Sequence, residues 1–280
     1  MKIIIHGGFF SESLTNQEVK KAKQEALSEI VRLGYQYLQN HTAVETVVYT
    51  VALLEDCDLF NAGTGSQIQS DGKIRLSASL MDGRTLRFSG VINVEDVKNP
   101  ICIAAKLQDY GDRVLSGQGA KDFARKNGFG YYNPETAQRR REYEIKLNDH
   151  SRLGTVGCVA LDRAGNLAAG TSTGGKGFEI PGRVSDSATT AGNYANAFAG
   201  ISCTGVGEDI VSGAIASTIA ARVTDGMAFE AATQKTFAEI KPIEGFAGII
   251  GITAKGEVFH ADTYPYMVWA SHDEKEEVFQ

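Results

Sequence analysis

The stretch Gly154-Thr155-Val156-Gly157-Cys158-Val159-Ala160 decides how this chain is organised. A polar, charge-dense segment, residues 133–153, precedes it, and an apolar run typical of a buried strand follows it. A chain that passes from such a linker into a strand at a Gly-Thr pair is suited to being cut there. Cleavage would give Thr155 a terminal amine, whose pKa of roughly 7.7–8.0 allows it to accept the proton of its own hydroxyl. Nucleophile and general base would then be one residue.

The Gly-Thr pair alone is weak evidence, because β-branched residues favour strands and most such threonines are structural. A second hydroxyl group strengthens the case for Thr155 as a nucleophile. The next predicted strand ends in Ser172-Thr173-Gly174-Gly175, which would place the Thr173 hydroxyl beside Thr155. The alternative is a turn with local hydroxyl caps.

Two charged residues three positions apart, Arg183 and Asp186, follow Pro181 in a predicted loop. A guanidinium binds a carboxylate bidentately, and a carboxylate binds an ammonium. Together they would hold the α-carboxylate and α-ammonium of an amino acid. The alternative is a mutual surface ion pair, which contributes little to stability.

Two further segments carry groups that could stabilise an oxyanion. Thr204-Gly205-Val206-Gly207-Glu208 runs into a predicted helix, whose first N–H groups and positive dipole end favour negative charge. Asn61, in a glycine-containing loop, has a side-chain amide that could donate a hydrogen bond. A glycine-rich loop without a ligand is the alternative for the first segment.

Composition limits the function classes. The chain has 280 residues, 42% hydrophobic and 22% charged, with a net charge of −6, which argues against nucleic acid as a partner. No apolar run reaches the roughly 20 residues of a membrane span, and Ile3-Ile4-Ile5 is too short for a signal peptide. We therefore expect a cytoplasmic protein. The four cysteines form no CxxC pair, which favours reduced thiols over a zinc site.

The order of predicted elements indicates an α+β layered sandwich, with antiparallel sheets covered by helices. Capping boxes at Thr15–Glu18 and Thr42–Glu45 predict two helices near the amino end. Strands are predicted over residues 65–68, 74–81 and 86–93, with a tight hairpin at Asp71-Gly72. A single long helix is predicted over residues 207–224.

Taken together, these motifs resemble those of the plant-type asparaginases, or isoaspartyl peptidases, which are threonine-type N-terminal-nucleophile hydrolases. The resemblance spans nearly the whole chain. Its blocks are His6-Gly7-Gly8, Leu54-Glu55-Asp56-Cys57 with Leu59-Phe60-Asn61-Ala62-Gly63, Met81-Asp82-Gly83, Gly154-Thr155-Val156-Gly157, Ser172-Thr173-Gly174-Gly175, Gly182-Arg183-Val184 with Asp186-Ser187, and Thr204-Gly205 with Gly207-Glu208.

The resemblance implies one domain, residues 1–280, folded as a four-layer αββα sandwich. The precursor would cut itself into an α part, 1–154, ending in the linker 133–154, and a β part, 155–280. Thr155 would be the nucleophile with Thr173 beside it, and Thr204 and Asn61 would serve the oxyanion and the nucleophile. Arg183 and Asp186 would grip the α-groups of a β-aspartyl substrate, and the Gly205 and Gly207 backbone would complete the pocket.

The resemblance also implies a sodium-binding loop and self-association. The cation would be held by the backbone carbonyls of Leu54, Glu55, Cys57, Phe60, Ala62 and Thr64, with no cofactor required for the chemistry. The substrate would be a small molecule or dipeptide, namely L-asparagine or an isoaspartyl dipeptide, and the assembly a dimer of αβ units.

The chain departs from the family pattern in two places. Phe9 and Phe10 follow His-Gly-Gly where the family usually has small residues, and Asp262-Thr263-Tyr264-Pro265-Tyr266 replaces the usual Asn-Thr pair before Met267. Two other functions stay open: a glycosylasparaginase that cleaves sugar-linked asparagine, and a non-catalytic binding relative. The intact set of Thr155, Thr173, Arg183 and Asp186 argues against the second.

Overall fold

Two β-sheets organise the chain, whose computed structural model describes residues 1–9, 16–145, 154–264 and 266–280. The strands are β1 (Lys2–Phe9), β2 (Leu76–Asp82), β3 (Arg87–Val94), β4 (Val114–Ser116), β5 (Val156–Leu161), β6 (Leu167–Thr173), β7 (Asn193–Ala195), β8 (Ala199–Gly205), β9 (Ala247–Thr253), β10 (Val258–Asp262), β11 (Met267–His272) and β12 (Glu276–Val278). The larger sheet has the order β12-β11-β1-β5-β6-β2-β3-β4, and the smaller β10-β9-β8-β7. Only the β3–β4 pair is parallel among the described strands.

Helices cover the outer face of each sheet. They are α1 (Gln17–Leu38), α2 (Ala43–Asp56), α3 (Pro100–Leu107), α4 (Gly117–Lys126), α5 (Ala137–Ile145), α6 (Gly207–Ser212), α7 (Ile215–Thr224) and α8 (Phe229–Ile240). The helices α1, α2 and α3 pack on the larger sheet, α7 and α8 pack on the smaller, and the two sheets face each other. The predicted four-layer αββα sandwich is therefore confirmed.

Three apolar clusters fill the spaces between these four layers. Val47 of α2 packs on the larger sheet over Gly170, where a Cβ would lie 2.5 Å from the Val47 side chain. Ile4, Val159 and Ile250 meet between the sheets. The third cluster joins the smaller sheet to α7 and α8. Burial of these side chains, at roughly 25 cal/mol per Å² of apolar surface, holds the strand ends that carry the site.

The predicted start of α2 is confirmed. The Thr42 hydroxyl accepts from the Glu45 amide at 3.3 Å, and the Glu45 carboxylate accepts from the Thr42 amide at 2.9 Å, which completes a capping box. Helix α1 is capped by Asn16, whose side chain accepts from two amides of the first turn. Thr15, the predicted cap, lies outside the described residues.

Two predictions of secondary structure are wrong. Residues 65–68 form no strand, because Gly65 has φ +83° and turns against the backbone of Asp58. The chain does turn tightly at Asp71-Gly72, where the Gln69 amide donates to the Lys73 carbonyl at 2.8 Å, but the turn joins no pair of strands. The helix predicted over residues 207–224 is broken, because Ala214 adopts a left-handed conformation with φ 45°. Among the described residues, no helix is long and apolar enough to cross a membrane.

Candidate active site

The predicted nucleophile and its neighbouring hydroxyl meet at one end of two central strands of the larger sheet. Strand β5 begins one residue after Thr155, and its antiparallel partner β6 ends at Thr173, with Val156 opposite Ser172. The Thr155 and Thr173 hydroxyl oxygens are 3.4 Å apart, and both residues are buried. Strand pairing thus produces the juxtaposition that the sequence predicted.

The carbonyl of Gly154, on the peptide bond before Thr155, accepts two side-chain hydrogen bonds. The Asn61 Nδ2 donates at 2.8 Å and the Thr173 Oγ1 at 3.1 Å. The Asn61 Oδ1 accepts from the Gln67 backbone amide at 2.8 Å. This bond orients the Asn61 side chain so that its Nδ2 points at the Gly154 carbonyl. Two donors aimed at one carbonyl are the arrangement that stabilises negative charge developing on its oxygen.

His6 is a site residue to which the sequence analysis gave no role. A carbonyl can only accept, so the His6 Nδ1 donates to the Thr155 oxygen at 3.0 Å, and its Nε2 accepts from the Ser202 hydroxyl at 2.9 Å. Burial lowers the pKa of His6 to about 3, against the opposing effect of the Thr155 bond, so the ring is neutral. The ring therefore holds the Thr155 backbone in place. The His-Gly-Gly block was the available signal in the sequence.

A glycine brings β1 against the same peptide bond. Gly8 has φ +90°, and a Cβ there would lie 3.0 Å from both the Gly154 Cα and the Thr155 nitrogen. A side chain at this position would be strained and would press on the Gly154–Thr155 bond. The bond is thus enclosed by β1 as well as by Asn61 and Thr173.

The predicted substrate-binding residues form a second group, around the start of α6. A Cβ on Gly207 would lie 2.7 Å from the Arg183 Nη2 and 2.8 Å from the Asp186 Oδ1, so glycine makes room for both side chains. The Ser185 hydroxyl donates to the Asp186 Oδ1 at 3.1 Å. Burial raises the pKa of Asp186 to about 6, although the Ser185 bond and the Arg183 charge oppose the shift.

Two polar atoms near this group are buried without a hydrogen-bond partner: the Asp186 Oδ2 and the Thr204 Oγ1. Buried polar atoms are nearly always satisfied in folded proteins, so each such exception requires a reason. A carboxylate oxygen suits a ligand ammonium, and a hydroxyl suits a ligand oxygen. Both atoms are shut off from solvent, and the Asp186 Oδ2 faces the backbone of Gly192, where a Cβ would lie 2.5 Å from it.

Arg183 is paired with Glu208. The Arg183 Nε donates to the Glu208 Oε1 at 2.8 Å and the Nη2 donates to the Oε2 at 3.0 Å, while the Lys176 ammonium lies 3.3 Å from the same carboxylate. The hydrogen bonds from Arg183 lower the pKa of Glu208 to about 2. Among the described residues, the ion pair of Arg183 is thus with Glu208, and the alternative of a mutual surface pair with Asp186 is wrong.

The register of β8 links the two groups. Ser202 and Thr204 are two positions apart on this strand, so their side chains point to the same face. Ser202 contacts His6 on the larger sheet, and His6 holds Thr155. Thr204 therefore also faces the larger sheet, two residues closer to the end of β8, on the side where Thr155 lies. Gly205 has φ +137° and ends the strand.

The predicted sodium loop is closed by backbone contacts. The Thr64 amide donates to the Glu55 carbonyl at 2.8 Å, and a Cβ on Gly63 would lie 2.4 Å from that oxygen. The Cys57 carbonyl accepts from the Phe60 amide, and the Leu54 carbonyl from the Cys57 amide. Each carbonyl oxygen has a second lone pair, and oxygen is the ligand that hard cations prefer. The donor set is therefore chemically compatible with sodium.

The Glu55 side chain is a second feature that the sequence did not reveal. It is fully buried, and its Oε1 accepts from the Ile101 amide at the start of α3 at 3.1 Å. Burial raises the pKa of Glu55 to about 8, although bonds from neighbouring groups oppose the shift. The carboxyl thus ties the loop after α2 to the next helix along the chain.

A four-layer αββα sandwich with a Gly-Thr pair at the start of a central strand is the architecture of the N-terminal-nucleophile hydrolases. The sequence model of one family, described as asparaginase, matches residues 1–279, and the chain belongs to that family. It is 44% identical over 292 residues to the isoaspartyl peptidase/L-asparaginase of Nostoc sp., covering 97% of this chain and 92% of the relative.

Two relatives of lower sequence identity are each named for only one of these two activities. The chain is 36% identical to the plant-type L-asparaginase of Pyrococcus abyssi, over 96% of this chain and 95% of the relative. It is 37% identical to the isoaspartyl peptidase of Escherichia coli, over 91% of this chain and 88% of the relative. The predicted resemblance is confirmed.

Proposed function

We propose that this protein is a self-cleaving amidohydrolase of β-aspartyl amide bonds, acting on isoaspartyl dipeptides and L-asparagine. The observation that carries the proposal is that Arg183 and Asp186 converge on Gly207, three positions after Thr204, and that the Asp186 Oδ2 and the Thr204 Oγ1 have no hydrogen-bond partner. They match the ammonium and the carbonyl oxygen of one substrate molecule. The names of the relatives support the same bond type.

Activation would begin at the Gly154–Thr155 peptide bond. The Thr155 hydroxyl attacks the Gly154 carbonyl carbon, and Asn61 and Thr173 stabilise the resulting oxyanion through the bonds they already make. Collapse of this intermediate breaks the C–N bond, leaves Gly154 as an ester on the Thr155 oxygen, and frees the amine. Water then hydrolyses the ester and releases an α part, 1–154, and a β part, 155–280.

Turnover would use the new amine as general base. It takes the proton of the Thr155 hydroxyl, whose oxygen attacks the β-carbonyl of the substrate. The Thr204 hydroxyl and the Asn61 amide stabilise the oxyanion, and the leaving amine departs with a proton. Water hydrolyses the aspartyl ester and releases aspartate. Arg183 and Asp186, with the Gly205 and Gly207 backbone, hold both α-groups, so that only the β-carbonyl reaches Thr155.

The proposal includes a sodium ion in the loop of residues 54–64 and a dimer of αβ units. The chemistry of the loop carbonyls supports the ion, which would order the loop that positions Asn61. Activity should then be higher in sodium or potassium than in tetramethylammonium at equal ionic strength. Equal rates in all three would remove the ion from the proposal. The mass of the assembly in solution tests the dimer.

The direct experiment measures aspartate released from β-aspartyl-glycine and L-asparagine, with α-aspartyl-glycine as the control for bond type. The wild-type protein should hydrolyse the first two and not the third, and Thr155→Ala should hydrolyse none. A protein that is inactive on both β-aspartyl substrates but active on sugar-linked asparagine would instead be a glycosylasparaginase. Activity retained in Thr155→Ala would refute the proposed nucleophile.

A further inference from the structure

Three aromatic residues from separate segments of the chain, Phe9, Phe246 and Tyr264, form one cluster. The ring centroids of Phe9 and Phe246 are 4.4 Å apart, and those of Phe246 and Tyr264 are 5.4 Å apart. Phe9 is 6% exposed and Tyr264 is 60% exposed. The cluster therefore extends from the space between the sheets to the solvent.

The cluster lies at the end of the sandwich, next to the strand ends that carry the nucleophile. Phe9 ends β1 directly after Gly8, which encloses the Thr155 nitrogen. Phe246 precedes β9, and its carbonyl accepts from the Val206 amide at 2.9 Å, next to Gly205 at the end of β8. The aromatic rings are thus attached to the two backbone segments that flank Thr155 and Thr204.

Other residues hold the rings in place. A Cβ on Gly248 would lie 2.8 Å from the Phe9 ring, so glycine in β9 makes the space that Phe9 occupies. The Thr263 hydroxyl accepts from the Ala247 amide at 3.0 Å and donates to the Gly245 carbonyl at 3.1 Å. Thr263 thereby fastens the segment of Tyr264 to that of Phe246. The cluster is preorganised, which lowers the entropic cost of binding against it.

The position of the cluster identifies the part of the substrate it would contact. Gly207, at the start of α6, borders the Arg183 and Asp186 side chains, where the α-groups would bind, whereas Gly205, the last residue of β8, borders the backbone of Phe246. The Thr155 hydroxyl attacks the carbonyl between these two ends. The end away from the α-groups is where the amine of the scissile amide, and whatever it carries, must lie.

We infer that the cluster of Phe9, Phe246 and Tyr264 binds the leaving amine component, and selects β-aspartyl dipeptides whose second residue is aromatic or large and apolar. This rests on the proposed β-aspartyl hydrolysis. Ammonia, the leaving group of L-asparagine, is too small to reach the rings. The cluster should therefore distinguish dipeptides from one another without affecting asparagine.

The test compares kcat/KM for β-aspartyl-phenylalanine and β-aspartyl-glycine in the wild-type protein, Tyr264→Ala and Phe246→Leu. An aromatic pair contributes enough that its loss should lower the ratio of the two values about three- to tenfold, mainly through KM. L-Asparagine hydrolysis should stay unchanged. Phe198→Ala is the control, because Phe198 is 49% exposed and precedes β8 at the opposite end of that strand.

The outcomes separate the two proposals. If the wild-type protein hydrolyses both dipeptides but the ratio is the same in Tyr264→Ala and Phe246→Leu as in Phe198→Ala, the cluster is only structural and the inference is overturned. A fall in L-asparagine turnover equal to that for the dipeptides would overturn it also. If the wild-type protein hydrolyses no β-aspartyl substrate, the proposed function fails and the inference fails with it.

Discussion

The two halves of the site differ in how their polar groups are satisfied. Around the Gly154–Thr155 bond, the carbonyl accepts from Asn61 and Thr173, and His6 holds the next carbonyl. Around Arg183 and Asp186, the Asp186 Oδ2 and the Thr204 Oγ1 have no partner. We call the first the closed half, because the chain's own peptide bond occupies it, and the second the open half, because these two buried atoms have no partner among the described residues.

This difference explains how one site could serve two reactions. While Gly154 is in place, its carbonyl occupies the Asn61 and Thr173 donors. Cleavage would release that carbonyl, and the Asn61 amide would then be free to act with the Thr204 hydroxyl on the β-carbonyl of a substrate. The open half needs no such change, because its two unpartnered atoms have no such bond to release. The closed half should therefore control activation, and the open half should control affinity.

Breaking the open half should have the largest effect. Arg183→Ala removes the guanidinium that would bind the substrate α-carboxylate, and should cost about 2–5 kcal/mol in kcat/KM, mostly as a higher KM. Steady-state kinetics on β-aspartyl-glycine measure this. Arg163→Ala, in an exposed turn, is the control. Self-cleavage should proceed normally in both variants. A loss of cleavage in Arg183→Ala alone would show that the open half also controls activation, contrary to this account.

Weakening the closed half should slow activation. Asn61→Asp removes the Nδ2 that donates to both the Gly154 and the Gly175 carbonyls but retains an oxygen that can accept from the Gln67 amide. Loss of one oxyanion donor costs on the order of 10²–10³ in rate. The half-time of precursor loss, followed on denaturing gels, should lengthen accordingly. Cleavage at the wild-type rate would show that Asn61 does not stabilise the oxyanion.

The smallest of the three effects is expected on the acid limb of the pH profile of kcat/KM, where the Asp186 carboxyl titrates. The Thr155 amine, with a pKa of roughly 7.7–8.0, must be neutral to act as the base, so kcat/KM already falls below that pH. Asp186 must be ionised to bind an ammonium, and its raised pKa of about 6 makes the fall steeper as the pH drops through that value. The Ser185 hydroxyl favours the ionised form, so Ser185→Ala should raise the pKa further and move the limb to higher pH. Rates at pH 8 should stay similar. A shift to lower pH would mean that Asp186 is not the titrating group.

Much of the site could be predicted because its chemistry lies in short segments. The Gly-Thr pair, the hydroxyls after β6 and the Arg183–Asp186 spacing each specify a local geometry that strand pairing then assembles. The role of His6 was missed because it depends on a contact with Ser202, 196 positions away; the local His-Gly-Gly block marks the residue but does not reveal this partner. The buried Glu55 carboxyl was missed for the same reason.

The errors in secondary structure have a common origin. The apolar and polar pattern over residues 207–224 is helical throughout, but Gly213 leaves room for the Ile240 side chain of α8, which a Cβ would approach to 2.7 Å, and the helix breaks at the next residue, Ala214. Residues 65–68 were predicted as a strand, yet Gly65 turns against the backbone of Asp58. In both cases tertiary packing overrides the local pattern.

The central claim, that Thr155 cuts the chain before itself and becomes its nucleophile, is tested most directly by intact-mass measurement of the purified wild-type protein, Thr155→Ser and Thr155→Ala. We expect the wild-type protein to give fragments corresponding to 1–154 and 155–280, the serine variant to give the same fragments, and the alanine variant to stay at full length. A Thr155→Ala protein that is still cut between residues 154 and 155, or a wild-type protein that hydrolyses β-aspartyl dipeptides while remaining one chain, would contradict the account.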